Sequence, residues 1–177
     1  MRPRAGILLV ASPKLIEPNF ARSVVFLLEH GEHGTLGFII NRPRIGPLSD
    51  IWDDAPSGLA GCIAAAEGGP VEPGKGLLVH ASPSITGAQE MALGCAVGGD
   101  FEAIAKRYED GCDDTGPRLF LGHSGWEHGQ LDSEVEQGAW ILREGKRNLL
   151  LDNAPPLGLW EMLVAGRLGG LPDPSVN

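Results

Sequence analysis

No stretch of the 177-residue chain approaches the ~20 consecutive apolar residues of a membrane-spanning helix, so no membrane association is expected. Cysteine is scarce. Cys62, Cys95 and Cys112 are an odd number, widely spaced, and no C-x-x-C occurs. That pattern argues against a disulfide framework and against a cysteine-based zinc site, and the three read as free thiols of a reducing compartment. H-E-x-x-H is missing, and no third or fourth ligand accompanies the His30/His33 pair, so no metal is expected. A phosphate-binding loop is missing too. In EGGPVEPGKG the interval from Gly69 to Gly74 has the wrong length and no hydroxyl residue follows Lys75, so the segment reads as a turn. Basic charge is in short supply, with 14 Lys+Arg against 23 Asp+Glu and a net charge of −9. Such a field repels phosphate backbones, and direct binding to duplex DNA is not expected.

The opening MRPRAGILLVASPKL imitates a signal peptide only faintly. Its apolar run, Gly6 to Ala11, is stopped by Pro13, short of the roughly 7–15 residues that a signal requires. A buried first strand is the better reading, and with it a cytoplasmic location. The charge is uneven: residues 1–44 carry six basic and three acidic groups, so the rest of the chain holds a net −12. A local anion site near Arg42 and Arg44 is one reading of that asymmetry; a solvated surface is the other.

Hydrophobic residues make up 42% and charged residues 21%, the balance of a globular chain. Strands are expected at 6–11, 23–29 and 35–40, the last two joined by the five-residue turn HGEHG. Pro47 suits the first turn of a short helix. Further strands are expected near 63–66, at 76–80, within 91–97 and at 118–121. Residues 101–110 predict a helix capped by Asp100, with Phe101, Ile104, Ala105 and Tyr108 on one face. EHGQLDSEVEQG predicts a second helix with Leu131 and Val135 on its buried face. AWILRE and NLLLD read as two strands, and PPLGLWEMLVAGRLGG as a terminal helix closed by Gly169 and Gly170. The order is not a βαβ alternation, so α+β with a mixed or antiparallel sheet is the expected class, in one domain spanning 1–177.

Ser124, in LGHSGWEHG, invites comparison with a nucleophile elbow. The second glycine of G-x-S-x-G is replaced by Trp126, and no acid and histidine follow at a useful spacing. Ser124 therefore reads as a turn or helix-capping residue, and no catalytic residue is assigned. His30 and His33 read as solvated turn histidines. Asn41 and Arg42, where an apolar strand ends at Pro43, are placed either to face a groove, with Arg42 forking onto a carboxylate or phosphate, or to open a turn with a surface charge. Trp126, Gln130 and Glu134 fall one turn apart, either lining a pocket or bonding a helix end to the sheet. With His80, at the end of GLLVH, these five complete the set of candidate binding residues, and Arg42 with the Trp126–Gln130–Glu134 row is expected to share one surface.

Taken in order, ASPKLIEPNFARSVVFLLEH, GTLGFIINRP, GGPV, LLVH and GHSGWEHGQLDSEVEQGAW make the chain similar to the AlgH/YqgE-like family of uncharacterised bacterial proteins. His123, Ser124 and Asp132 stand where that family usually has Tyr, Ala and Glu, so a serine nucleophile is not the family's common chemistry. The loop between Asp50 and Cys62 is short. The resemblance implies an α+β fold whose bent or bifurcated mixed sheet forms a pseudo-barrel flanked by helices. It also implies a bacterial cytosolic protein, in a family sometimes labelled putative transcriptional regulators, with no cofactor to carry over. The function expected is a non-enzymatic regulatory or binding module for a small ligand or protein partner. A transcriptional regulator and an unrecognised enzyme stand as alternatives.

Overall fold

The computed structural model describes residues 1–63, 65–152 and 154–167. Its framework is a curled, nine-stranded sheet. The strands are β1 (Ile7–Ala11), β2 (Val24–Gly31), β3 (Gly34–Ile39), β4 (Ala65–Glu67), β5 (Val71–His80), β6 (Gln89–Glu90), β7 (Ala96–Val97), β8 (Arg118–Trp126) and β9 (Trp140–Glu144). They run in the order β6-β7-β5-β8-β3-β2-β1-β9, antiparallel throughout, with β4 added parallel to β8. Among the described residues five short helices flank the sheet: α1 (Ser57–Ala60), α2 (Phe101–Arg107), α3 (Gln130–Glu136), α4 (Arg147–Leu151) and α5 (Leu159–Val164). This is the α+β class read from the order of elements, and the curled half-barrel agrees with the bent, bifurcated sheet that the family resemblance implies.

The bifurcation lies in β8. Leu119 to Leu121 pair with β4 on one side and β5 on the other, whereas Ser124 to Trp126 pair with β3. Gly122 sits at the switch with φ of 74°, a conformation that L side chains resist, and a Cβ there would run into the carbonyl oxygen of Gly69 and crowd the backbone of Val71 and Pro73. The chain therefore bends where the sequence has a residue able to bend.

Central strands are buried on both faces, which is why ILLVA and VVFLL read as unbroken apolar runs. Alternation separates the two faces. Leu8, Val10, Val24, Phe26, Phe38 and Ile40 point to one core, closed by the leucines of α4 and by Leu159 and Leu163 of α5. Ile7, Leu9, Ala11, Val25, Leu27 and Ile39 point to the other, closed by Trp126, Leu131 and Trp140. A third cluster gathers Leu48, Leu59, Ile63 and Leu78 with Ile104 and Tyr108 beside α2.

Several elements differ from the sequence expectation. The hairpin strands run further, leaving only Glu32 and His33 between β2 and β3. His30 accordingly lies in β2, half-buried, with Nδ1 2.6 Å from Thr35 Oγ1, while His33 is exposed at the turn. VEPGK is strand, not turn, and reaches Val71↔His123 through a register shift. Residues 91–97 form no single strand: a 3-10 turn at Ala92–Gly94 separates β6 from β7. NLLLD is helix, not strand, because α4 buries all three leucines at once and so shows no periodicity. Ser124 is neither turn nor cap; it is fully buried inside β8. Cys62 and Cys112 are not free but joined in a disulfide, Cα atoms 5.7 Å apart, and Cys95 alone is a free, buried thiol. Fifty residues of sequence hid that proximity, which depends on α1 and the end of α2 folding over one core. Asp100 does cap α2, its Oδ2 accepting from Ala103 N at 3.1 Å. Phe101, expected on the buried face of α2, is exposed and meets Trp52 edge-on. Gly169 and Gly170 lie outside the described residues.

Candidate functional site

An arginine-lined cleft of about 480 Å³ opens beyond the end of β3. Strand β3 stops at Ile39, and the NRPR segment crosses the cleft wall, held there by Asn41. The Asn41 amide bridges two chains: its Oδ1 accepts from Val24 N at 2.8 Å and its Nδ2 donates to Arg22 O at 2.9 Å. Arg42 donates through one terminal nitrogen to the carbonyls of Asn19 and Ala21, at 3.0 and 3.3 Å, which fixes the guanidinium plane. Arg22 pairs with Glu161 and lies 4.5 Å from the centroid of the Trp160 ring. Arg44 also lines the cleft.

Arg118, at the start of β8, is part of the same lining and is 1% exposed. Its terminal nitrogens donate to Ile40 O at 2.9 Å and Leu150 O at 3.2 Å, and its guanidinium lies 4.6 Å from the Phe120 ring. Its buried Nε has no hydrogen-bond partner. Burial pulls its pKa down to about 10, opposed by nearby Asp152 and reinforced by Arg44. It remains a cation at neutral pH, deeply buried, with neutral carbonyls as its hydrogen-bonded partners. That is an electrostatic debt, since a buried charge is stable only when compensated. The lining also includes apolar residues, Pro155, Pro156, Leu157 and Leu159.

The candidates from the sequence do not converge. Asn41 and Arg42 border the cleft. Trp126, Gln130 and Glu134 lie on the other side of the sheet, where they satisfy one another. The Trp126 indole donates to Glu134 Oε2 at 2.9 Å, Trp140 donates to the same oxygen at 2.8 Å, and Gln130 Nε2 donates to Oε1 at 3.1 Å. The shared surface expected for Arg42 and this row is therefore not formed: Leu159 of α5, which lines the cleft, packs into one core and Trp126 into the other. His80 is a third, separate place. It is fully buried, its Nε2 2.8 Å from Gly98 O and its Nδ1 accepting from Ser82 N at 3.1 Å. Burial, the largest influence, lowers its pKa, so it is neutral and structural. Ser124 donates to Gly68 O at 3.1 Å with no exposed surface. Among the described residues no cluster of His, Cys, Asp and Glu is arranged to hold a metal.

Arg118, Arg22 and Trp160 escaped the sequence reading. One signal was available: a charge beginning the apolar run RLFL, which a buried strand accommodates only with a purpose.

A curled α+β half-barrel, bifurcated at one long strand and carrying an arginine cleft at its end, defines the structural class. The chain belongs to the AlgH-like family, whose profile matches residues 8–172. It is 35% identical over 168 residues to a Bacteroides fragilis UPF0301 protein, covering 94% of this chain and 84% of that one. It is 34% identical over 188 residues to a Streptomyces coelicolor UPF0301 protein, covering 97% and 94%. The solution structure of AlgH from Pseudomonas aeruginosa superposes with a TM-score of 0.70 at 28% identity, over 97% of this chain and 94% of that one. A Corynebacterium diphtheriae crystal structure shares the fold at a TM-score of 0.76 and 23% identity, over 98% and 90%.

Proposed function

We propose that the protein is a non-enzymatic binding module whose guest carries negative charge and sits in the arginine-lined cleft. The observation that carries this reading is Arg118, a buried guanidinium with an unpartnered Nε, beside Arg22, Arg42 and Arg44 in a chain of net charge −9. Concentrating cation in one concavity of an acidic protein focuses the field on a small anion. The volume lies in the range of small-molecule sites, roughly 300–1,000 Å³. A cytosolic setting, as the resemblance implies, belongs to the same proposal.

The enzyme alternative lacks a nucleophile at Ser124, which is sealed inside the sheet. The DNA-binding alternative lacks a reading element: the longest described helices, α2 and α3, have seven residues each. A gel shift at about 150 mM salt is expected to show no sub-micromolar binding to duplex DNA. The main test is thermal unfolding across a series of small anions, including sulfate, malonate and phosphate. A guest at 100 times its Kd stabilises by about 2.7 kcal/mol. At least one anion is expected to raise Tm in the wild type and not in Arg42→Gln; no shift with any anion would overturn the reading.

A further inference from the structure

The cleft says more about its guest than sign alone. Among the described residues its lining holds four arginines and one carboxylate, Glu161, which is paired with Arg22. Asp152, close enough to act on Arg118, uses Oδ1 to accept from Ala154 N at 2.8 Å. Guanidiniums outnumber carboxylates among these described residues, and a singly charged carboxylate offers only two acceptor oxygens to meet them. A dianion with several acceptor oxygens suits several converging forks better. Another part of the lining is different in kind. Pro155, Pro156 and Leu157 present apolar surface, and Leu157 is 99% exposed. Such a side chain on the rim of a charged cleft is placed to cover the apolar body of something whose charged end lies deeper.

We propose that the guest is a phosphate monoester of a small organic molecule, its phosphate between Arg42, Arg44 and Arg118, its body against Pro155–Leu157. The inference rests on the binding-module reading above and narrows it to one ligand class. The phosphate brings a signature of its own. Its second ionisation falls near 6, so affinity rises as the monoanion becomes a dianion. Among the described residues no histidine lines the cleft; the charged groups around the phosphate are Arg22, Arg42, Arg44, Arg118 and Glu161, with Asp152 acting on Arg118.

The test is isothermal titration of the intact protein with phenyl phosphate, inorganic phosphate, benzoate and malonate, at pH 7.5 and 5.5. Phenyl phosphate is expected to bind with Kd below about 1 mM and at least about tenfold more tightly than benzoate, with affinity falling severalfold at pH 5.5. Arg42→Gln with Arg44→Gln should abolish binding, while Lys75→Gln, outside the cleft, should not. Leu157→Ser removes an exposed side chain and should not disturb folding. It is expected to weaken phenyl phosphate and leave inorganic phosphate unchanged. A nucleic-acid 5′ end or a lipid headgroup offers the same phosphate. A 5′-phosphorylated oligonucleotide or phosphatidic acid vesicles binding more tightly than phenyl phosphate would overturn the small-molecule assignment. Binding of malonate or benzoate at the cleft without phosphate would overturn the monoester while leaving the binding module intact. Binding by none of the four would overturn both.

Discussion

Trp126 and Trp140 stand edge to face, ring centroids 5.9 Å apart, and both indole N–H groups donate to one oxygen, Glu134 Oε2. Phe20 completes the cluster, 5.8 Å from Trp126 and 5.7 Å from Trp140. One carboxylate on α3 therefore ties the end of β8 to the start of β9 across a core face. The polar atoms are spent on each other, so the cluster is a fastening rather than a binding surface. Glu134→Ala strands two indole donors, and bonds to a charged acceptor contribute about 1.5–3 kcal/mol each. A loss of about 3 kcal/mol is expected by chemical denaturation, with anion affinity at the cleft unchanged. Equal stability in the variant would refute the fastening role.

Ser124→Ala removes one buried hydrogen bond and no catalysis. The acceptor, Gly68 O, keeps its bond from Ile39 N at 2.9 Å, so no carbonyl is left bare. Destabilisation of about 1 kcal/mol is expected. A fluorophosphonate should not label the native protein at this residue; covalent labelling would reopen the hydrolase question.

Cys62 and Cys112 close a loop over a separation of 50 residues, which by chain entropy stabilises by about 4 kcal/mol. Reduction should lower the denaturation midpoint accordingly. Thiol titration after denaturation without reductant should count one group, Cys95, and three after reduction. In the native state Cys95 should be inert, since burial pushes its thiol up to about 11. Three thiols before reduction would show that the bridge does not form.

His80 is held neutral by burial, its folded pKa below the ordinary 6.5. The unfolded chain therefore binds the proton more readily. Stability from this residue is fully present above about 6.5 and is lost as pH falls from there towards the folded value. In NMR titrations the His80 imidazole should take up its proton at a lower pH than a solvent-exposed histidine does. Between pH 7.5 and 5.5, the wild type should lose more stability than His80→Gln.

How much of this the sequence discloses depends on how a residue's role is written locally. ILLVA and VVFLL are legible because burial on both faces leaves nothing but apolar residues. The Asp100 cap is legible because capping is a matter of three residues. NLLLD is ambiguous, since a short helix wedged wholly into the core has no polar face to mark its period. VEPGK has turn composition yet is held as strand by Val71 pairing with His123, a contact made far along the chain. Ser124 misleads for the same reason: glycines on either side suggest a turn, but β3 captures the segment as strand. At the cleft, Arg42 is visible as a cation at a strand end. Arg22, Arg118 and Trp160 are up to 138 positions apart and meet only when the sheet curls.

The central claim is that anions bind at the arginine cleft rather than at the tryptophan–carboxylate cluster. The most direct measurement is an NMR titration of the labelled protein with sulfate, following every backbone amide. The account predicts saturable shifts at residues 21–22, 41–44 and 157–161, with those of 126–136 unmoved. Shifts centred on Trp126, Gln130 and Glu134, or no saturable shifts at all, would contradict it.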